Sequence, residues 1–229
     1  NSLGWPILPF TDTAPLDNLS SHLARATHLI STIGPVAGQD PVIAAHKAQL
    51  QHFAGWTGYL SATSVYPDMP DGWVDEDTPP NPATVRGKAR LHAEQAWQEA
   101  CGAELFRIAG IYGPGRNVFK SLYDGSARII DKPNHLFNRI HQSDISQIIM
   151  AAMQSPERGR ILNLADMHPA SQADLFHFAA SLAGLTPPEP IPLEQANLSE
   201  MGRSFYTAQR KIRSKILGQT LRYSFTYPD

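Results

Sequence analysis

The first half of the chain alternates between short apolar stretches and stretches in which apolar residues recur at helical spacing. Consecutive apolar positions predict buried strands, whereas recurrence every three or four residues predicts amphipathic helices. We expect strands at 27–33, 58–63 and 103–108, and helices at 16–25, 42–54 and 84–100. A short strand is also expected at 5–10, near a sheet edge, because Pro6 and Pro9 lack amide hydrogens. Strands that alternate with helices indicate parallel βαβ units.

The alternation of strands and helices becomes less regular after Arg116, and the pattern of the second half predicts a different organisation. Strands are expected at 138–141 and 159–164, with helices at 143–153, 171–183 and 198–216. We therefore divide the chain into a first part, 1–116, and a C-terminal part, 117–229, which includes the late strands of the sheet.

Composition excludes several classes of protein. The 229 residues are 42% apolar and 17% charged, with a formal net charge of −2, so neither nucleic acid nor an anionic membrane is an expected partner. Basic residues between Arg203 and Arg222 alternate with apolar ones and predict a solvated helix face. Cys101 is the only cysteine, and no apolar run reaches the roughly 18 residues that span a bilayer. We expect a soluble, cytoplasmic protein. The histidine spacing predicts no metal site.

Five stretches carry a resemblance to a known family. Tyr59 to Tyr66 reads as a strand followed by a Ser/Thr element and Val-Tyr, and Pro79 to Gln95 is a helix preceded by prolines. The other three stretches are 105–115, 138–144 and 161–166. In this order they resemble the extended short-chain dehydrogenase/reductases, the NAD-dependent epimerase/dehydratase family, and especially its atypical branch. The resemblance covers nearly the whole chain.

The resemblance implies a Rossmann-like doubly wound parallel sheet with a small C-terminal substrate lobe. It also implies NAD or NADP as cofactor, a small polar substrate such as a sugar nucleotide, and a homodimer formed by the helices at 42–54 and 84–100. No glycine-rich phosphate-binding turn occurs before Thr27. We therefore expect the first βαβ unit to be lacking, either because the chain was processed or because it is a fragment, and dinucleotide binding by this chain to be poor.

The family's catalytic positions are altered in this chain. By resemblance its Tyr and Lys, four residues apart on one helix, correspond to Arg86 and Arg90, and its Ser/Thr corresponds to Ala62. A guanidinium stays protonated and cannot replace a phenol as general acid or base, and alanine has no hydroxyl. Tyrosine-mediated hydride chemistry is therefore not expected.

Two interpretations of the arginines remain open. In one, Glu94 partly neutralises Arg90 and both cations are simply solvated. In the other, Arg86 and Arg90 form a guanidinium pair that holds a phosphate or carboxylate. For Tyr66 we expect a structural role, and for Arg107 a paired, structural arginine.

The resemblance also implies two sets of binding residues. Gly34 could equally end a plain turn, and His141 could equally be a helix-entry residue. The cofactor set is Phe10, Thr32, Ile33, Gly34, Leu60, Ser61 and Ile111, and the substrate set is Thr63, Tyr112, Arg116, Asn138 and His141. The implied function is NAD(P)-linked oxidoreduction or epimerisation. The alternatives are a non-catalytic binding or regulatory protein on the same fold, and a fragment without function.

Overall fold

The computed structural model describes residues 4–11 and 13–228. Its strands are β1 (His28–Ser31), β2 (Trp56–Ala62), β3 (Trp73–Val74), β4 (Glu104–Ile108), β5 (Gly110–Tyr112), β6 (Ile129–Asp131), β7 (Arg139–His141), β8 (Ile161–Leu164), β9 (Pro190–Pro192) and β10 (Lys211–Ile212). Its helices are α1 (Leu19–Leu23), α2 (Pro41–Gln51), α3 (Val85–Cys101), α4 (Val118–Tyr123), α5 (Gln142–Gln154), α6 (Gln172–Ala183), α7 (Glu200–Ser204) and α8 (Lys215–Gln219).

A four-stranded parallel sheet forms the centre, in the order β1-β2-β4-β8. Leu60 lies opposite Phe106, and Ile108 lies opposite Leu164. Because α2 and α3 provide the crossovers from β1 to β2 and from β2 to β4, the carboxyl ends of these strands meet at one edge. The Rossmann-like architecture predicted from the sequence is confirmed. Ligands of open α/β sheets bind at this edge.

Helices cover the sheet on both faces. On one face Trp97 of α3 stacks on Tyr59 of β2, with ring centroids 5.6 Å apart. On the other, Ile148 of α5 packs in one cluster with Phe106 and Leu162, and all three are fully buried. The strands are therefore apolar on both faces, as buried parallel strands are.

A buried carboxylate fixes the amino ends of three strands. Glu104, which is 0% exposed, accepts hydrogen bonds from Trp56 Nε1 at 2.7 Å and from Glu157 N at 2.7 Å. It also pairs with Arg160, whose Nη2 lies 2.7 Å from Glu104 Oε2. These contacts join β2, β4 and the residues before β8. Removing one partner would leave the other buried and unpaired, which costs far more than losing an exposed ion pair.

The C-terminal residues attach to the sheet through short two-stranded ladders and an acidic loop. β10 pairs with β3, β7 with β5 and β9 with β6. The carboxylate of Asp75 pairs with Arg213 at 2.9 Å and with Lys215 at 3.1 Å. The predicted helix at 198–216 is wrong: α7 and α8 are short and β10 lies between them. The basic residues of this region do not form a solvated helix face, because Arg213 and Lys215 pair with the acidic loop.

The predicted strand at 5–10 is also wrong. The described residues there have no regular structure, and Trp5 and Ile7 are 70% and 71% exposed. Pro6 and Pro9 cannot donate to a ladder. In the described residues β1 pairs with β2 alone.

The helix expected at 16–25 shortens to α1, while α4 and β6 were not predicted. None of the described helices has the length and apolar character that crossing a membrane requires. The division at 116 stays a prediction.

His46 holds the segment before α1 against α2. It is 2% exposed, its Nε2 accepts a hydrogen bond from Leu16 N at 3.1 Å, and its ring centroid lies 5.8 Å from that of Phe10. Burial lowers the pKa of His46. The neutral ring is the form that can accept from Leu16, so the contact and the direction of the shift agree.

Stability should therefore fall in mild acid. A folded-state pKa below the unfolded value of about 6.5 means that the unfolded chain binds the proton first, so the unfolding free energy falls as pH decreases from about 6.5. His46→Gln keeps an acceptor but does not titrate. We expect its urea midpoint to change less between pH 7 and pH 5 than that of the wild type, with some slope left because burial also lowers the pKa of His135. Exposed His177→Gln serves as the control. Identical slopes in wild type and His46→Gln would contradict the assignment.

Candidate functional site

The candidate site lies at the carboxyl edge of the sheet. Ala62 is the last residue of β2, and a single 3-10 turn, Thr63–Val65, follows it. The first turn of α3 packs against this turn. Thr84 caps the helix by accepting from Gly87 N at 3.0 Å, and a Cβ on Gly87 would lie 2.6 Å from the Ser64 carbonyl oxygen. Glycine at 87 thus permits the close approach that brings Arg86 and Arg90 to the edge.

Arg90 ties α3 to the ends of two strands. Its Nη1 donates to the Tyr59 hydroxyl at 3.0 Å and to the Leu60 carbonyl at 3.1 Å. Its Nη2 would lie 2.7 Å from a Cβ on Gly34, so the guanidinium occupies the space above that glycine. Burial raises the pKa of Tyr59 to about 12, against the opposing effect of Arg90. The Tyr59 phenol therefore stays protonated at neutral pH.

Glu94 does not neutralise Arg90, and that part of the solvation hypothesis is wrong. Its carboxylate faces the sheet, where Glu94 Oε2 lies 2.8 Å from Arg107 Nη2 and Oε1 accepts from the Ser61 hydroxyl at 2.6 Å. Both side chains of the ion pair are almost completely buried. The prediction of Arg107 as a paired structural arginine is confirmed. Glu94 pairs with Arg107 rather than with Arg90, four residues earlier on α3. Arg107 is buried and would be costly without a partner, whereas the half-buried Arg90 can be partly solvated.

Arg90 consequently has no carboxylate partner within ion-pair distance in 4–11 and 13–228. Arg86 is exposed, and no ion pair to another described residue involves it. The interpretation of a simply solvated cation therefore fits Arg86. It does not fit Arg90, which is half-buried and lies along the edge of the sheet.

Tyr66 is buried in a structural position. Its hydroxyl donates to Asn163 Oδ1 at 2.8 Å, and the guanidinium carbon of Arg107 lies 4.7 Å from its ring centroid. Burial raises the pKa of Tyr66. The predicted structural role is confirmed, and Tyr66 offers no replacement for the family's tyrosine.

A second group of polar side chains follows β5 and β7. The rings of Tyr112 and His141 meet edge-on at 5.2 Å, and Tyr227 stacks on His141 at 3.6 Å. His141 Nδ1 accepts from Ser143 N at the start of α5, so the helix-entry interpretation of His141 is confirmed. The adjacent Asp144 accepts from the Tyr223 hydroxyl at 2.6 Å and holds the C-terminal segment here.

The remaining predicted residues are scattered. Thr32, Ile33 and Gly34 follow β1 at the carboxyl edge, and Leu60 and Thr63 lie beside Ala62. Phe10 instead packs on His46, and Ile111 packs beside the apolar core. Asn138 uses its side-chain amide on the backbone of Arg210 and Ile212, at 2.8 and 2.7 Å. Arg116 is exposed in a tight turn with Gly113. Ligand-binding roles for these residues stay predictions.

Arg210 was not predicted. Its Nη1 donates to the Thr63 carbonyl oxygen at 2.8 Å, so a side chain from the C-terminal part reaches the end of β2. Around position 210 the sequence shows only a mixture of basic and apolar residues, and this mixture predicts a helix. No signal in the sequence connects position 210 with position 63.

These residues fit a dinucleotide in part. The guanidinium of Arg90, which lies against Gly34, suits the polar groups of a ribose or phosphate. The described segment between β1 and α2 has Gly34 and Gly38 but not the glycine spacing of a pyrophosphate-binding turn. The side chains of Ala62, Arg86 and Arg90 offer no phenol, lysine ammonium or hydroxyl, and their assignment to the family's catalytic positions stays a prediction. In the described residues no cluster of three or more His, Cys, Asp or Glu could hold a metal ion.

The ion pair behind Arg90 can be tested through stability. Glu94→Ala leaves the Arg107 guanidinium buried without its partner, so we expect the unfolding free energy to fall by about 3–5 kcal/mol. The matched control is Glu99→Ala on the same helix, since Glu99 and its partner Lys47 are largely exposed and 3.5 Å apart. That change should stay within about 0.5 kcal/mol in urea unfolding. Similar losses in both variants would refute the role given to the buried pair.

Comparison with known proteins adds sequence relatives. No protein-family model matches the chain. Protein YeeZ of Escherichia coli (strain K12) is 33% identical over 134 residues, which are 57% of this chain and 47% of YeeZ. The chain thus spans about half the length of the curated relatives that it matches.

Solved structures match over almost the full chain. A conserved protein of unknown function from Silicibacter pomeroyi is 38% identical, with a TM-score of 0.85 over 98% of this chain and 78% of that one. A structure described as a putative NAD-dependent epimerase/dehydratase from Methylobacillus flagellatus is 23% identical, with a TM-score of 0.69 over 96% of this chain and 77% of that one. MoeE5, solved with UDP-glucose and NAD, is 18% identical, with a TM-score of 0.75 over 92% of this chain and 77% of its own. A second MoeE5 structure contains UDP-glucuronic acid and NAD.

The Methylobacillus protein and MoeE5 share the fold of the described sheet and its helices. The chain therefore belongs to one family with the Silicibacter protein, and it has the fold of the NAD-dependent epimerase/dehydratase proteins.

Proposed function

We propose that this chain forms the substrate side of an NAD(P)-linked epimerase-like site that binds a nucleotide-linked small polar molecule, and that no tyrosine-mediated proton transfer occurs there. One observation carries the proposal. A half-buried guanidinium, Arg90, stands at the carboxyl edge of a parallel sheet without a carboxylate partner among the described residues. Partly buried cations of this kind favour phosphate or carboxylate ligands, and this edge is where open α/β sheets bind them.

The fold similarity supports the ligand class. MoeE5 binds UDP-sugars and NAD. For this chain we propose a sugar nucleotide as ligand and, by resemblance, NAD or NADP as cofactor, which this chain binds weakly because its described residues lack a pyrophosphate-binding turn. The chemistry of the cofactor is hydride transfer, and this chain would orient the anionic groups of the ligand through Arg90. A homodimer through α2 and α3 remains part of the proposal.

The side chains near Ala62 argue against the usual proton transfer. Tyr66 has its hydroxyl bonded to Asn163, and burial raises the pKa of Tyr59 to about 12. Neither phenol is poised to lose a proton at neutral pH. A non-catalytic binding or regulatory role is therefore the second candidate, because the arginines at positions 86 and 90 stay protonated.

Binding measurements test the proposal. We expect UDP-glucose to bind saturably in calorimetry, because Arg90 can contact its diphosphate. We expect NADPH fluorescence to show no saturation below about 0.1 mM, since the described residues lack a pyrophosphate-binding turn. UDP-glucose with NAD should give no absorbance change at the NADH wavelength.

Gly34→Ala gives a matched variant. Its Cβ would stand 2.7 Å from Arg90 Nη2 and would displace the flexible end of that side chain, so UDP-glucose affinity should fall about tenfold, or 1.4 kcal/mol, while the fold persists. Gly218→Ala is the control, because nothing lies within 4 Å of a Cβ there. Absence of any UDP-glucose binding would overturn the substrate class, and micromolar NADPH binding would overturn the requirement for the turn.

A further inference from the structure

Two arginines from different parts of the chain meet the same short stretch of backbone. Arg90 of α3 donates to the Leu60 carbonyl at 3.1 Å, and Arg210, just before β10, donates to the Thr63 carbonyl at 2.8 Å. Residues 60 and 63 are three apart, so their carbonyl groups are at most about 11 Å from each other. Ala62 lies between them, at the position where the family's catalytic hydroxyl stands.

Both guanidinium groups lack the carboxylate partner that three other arginines of the chain have. Arg107, Arg160 and Arg213 each have a carboxylate oxygen within 2.9 Å. Arg90 and Arg210 have no such ion pair with the described residues, and Asp68 acts on Arg210 only electrostatically. Arg210 Nε is buried and has no hydrogen-bond partner in the described part of the chain. Two unneutralised guanidinium groups bonded to carbonyls of the same short stretch of backbone, with one buried donor unpartnered, favour a bound oxyanion.

Hydrogen bonds from a neighbouring side chain fix the backbone at Arg210. The Asn138 side chain donates to the Arg210 carbonyl at 2.8 Å and accepts from Ile212 N at 2.7 Å, which clamps the backbone on both sides of Lys211, directly after the arginine. β10 then pairs with β3. A guanidinium on a clamped backbone loses less conformational freedom when it binds a ligand.

We infer that Arg90 and Arg210 form an oxyanion subsite over Ala62, and that this subsite selects substrates with a phosphate or carboxylate at the end that lies there. The inference rests on the proposed function for the remainder of the ligand. It replaces the Arg86–Arg90 pair considered from the sequence, because Arg86 is exposed and Arg210 comes from the C-terminal part. Arg210 would thus be a residue that determines specificity.

Inorganic phosphate tests the subsite without any nucleotide. We expect the arginine Nε–Hε NMR signals of Arg90 and Arg210 to shift on titration and to saturate at one common phosphate concentration, while the Arg107 signal stays in place because Glu94 occupies it. Arg210→Gln should raise the phosphate concentration that half-saturates the Arg90 signal at least tenfold. Arg203→Gln, an exposed arginine of α7, should leave it unchanged. The titration of the wild type decides the matter even if Arg210→Gln folds poorly. No saturable shift, or a shift of Arg90 alone, would overturn the inference.

UDP-glucose and UDP-glucuronic acid identify the source of the oxyanion, since they differ only by a carboxylate. If the sugar carboxylate occupies the subsite, UDP-glucuronic acid should displace phosphate at least tenfold better than UDP-glucose. If the diphosphate occupies it, both should displace phosphate equally, and either result supports an oxyanion subsite. Phosphate binding with no binding of either compound would leave the subsite standing and refute the proposed sugar-nucleotide substrate. Binding of both compounds without displacement of phosphate would refute the selection of substrates by this subsite and would leave the proposed substrate class standing.

Discussion

The ion pair between Arg107 and Glu94 is the constraint on which the site depends. It joins the middle of β4 to the inner face of α3, with both side chains almost completely buried and the nearest atoms 2.8 Å apart. Neither buried charge can move far from the other, because burying one of them without its partner would cost several kcal/mol of stability. The pair therefore fixes the rotation of α3 about its axis. One turn earlier on the same helix Arg90 is brought to the ends of β1 and β2, and the carboxylate that could have neutralised it is already bound elsewhere.

An unneutralised guanidinium at this edge links the fold to its proposed use. Parallel strands end together at one edge, and polar ligands bind there in open α/β sheets. By the resemblance, Ala62, Arg86 and Arg90 correspond to the positions of the hydroxyl, phenol and ammonium groups of the epimerase/dehydratase site, and this correspondence stays a prediction. We propose that anion recognition by Arg90 and Arg210, rather than proton transfer, is the activity that these side chains support best. The fold alone would not have indicated this, since one fold hosts many functions.

Local patterns predicted the central elements well, because β1, β2, β4, α2 and α3 each have a clear period and stop signals such as Gly34-Pro35. They failed where tertiary pairing decides the structure. The stretch at 198–216 has helix-like composition, but Arg213 and Lys215 bond to the acidic loop after β3. Glu94 is four residues from Arg90, yet its partner is Arg107 across the sheet–helix interface. Arg210 reaches Thr63 from 147 residues away, and no spacing rule detects such a contact. The assignment of Ala62, Arg86 and Arg90 to the family's catalytic positions, by contrast, rests on the flanking motifs and stays a prediction.

The most direct measurement is phosphate affinity by calorimetry in Arg107→Met and in the double variant Arg107→Met with Glu94→Gln. Arg107 is buried away from the proposed ligand, so it should matter only through Glu94. We predict that Arg107→Met alone weakens phosphate binding about tenfold, or 1.4 kcal/mol, because Glu94 is released to neutralise Arg90, and that adding Glu94→Gln restores the affinity. Wild-type affinity in the single variant, or equal weakening in both, would contradict the account.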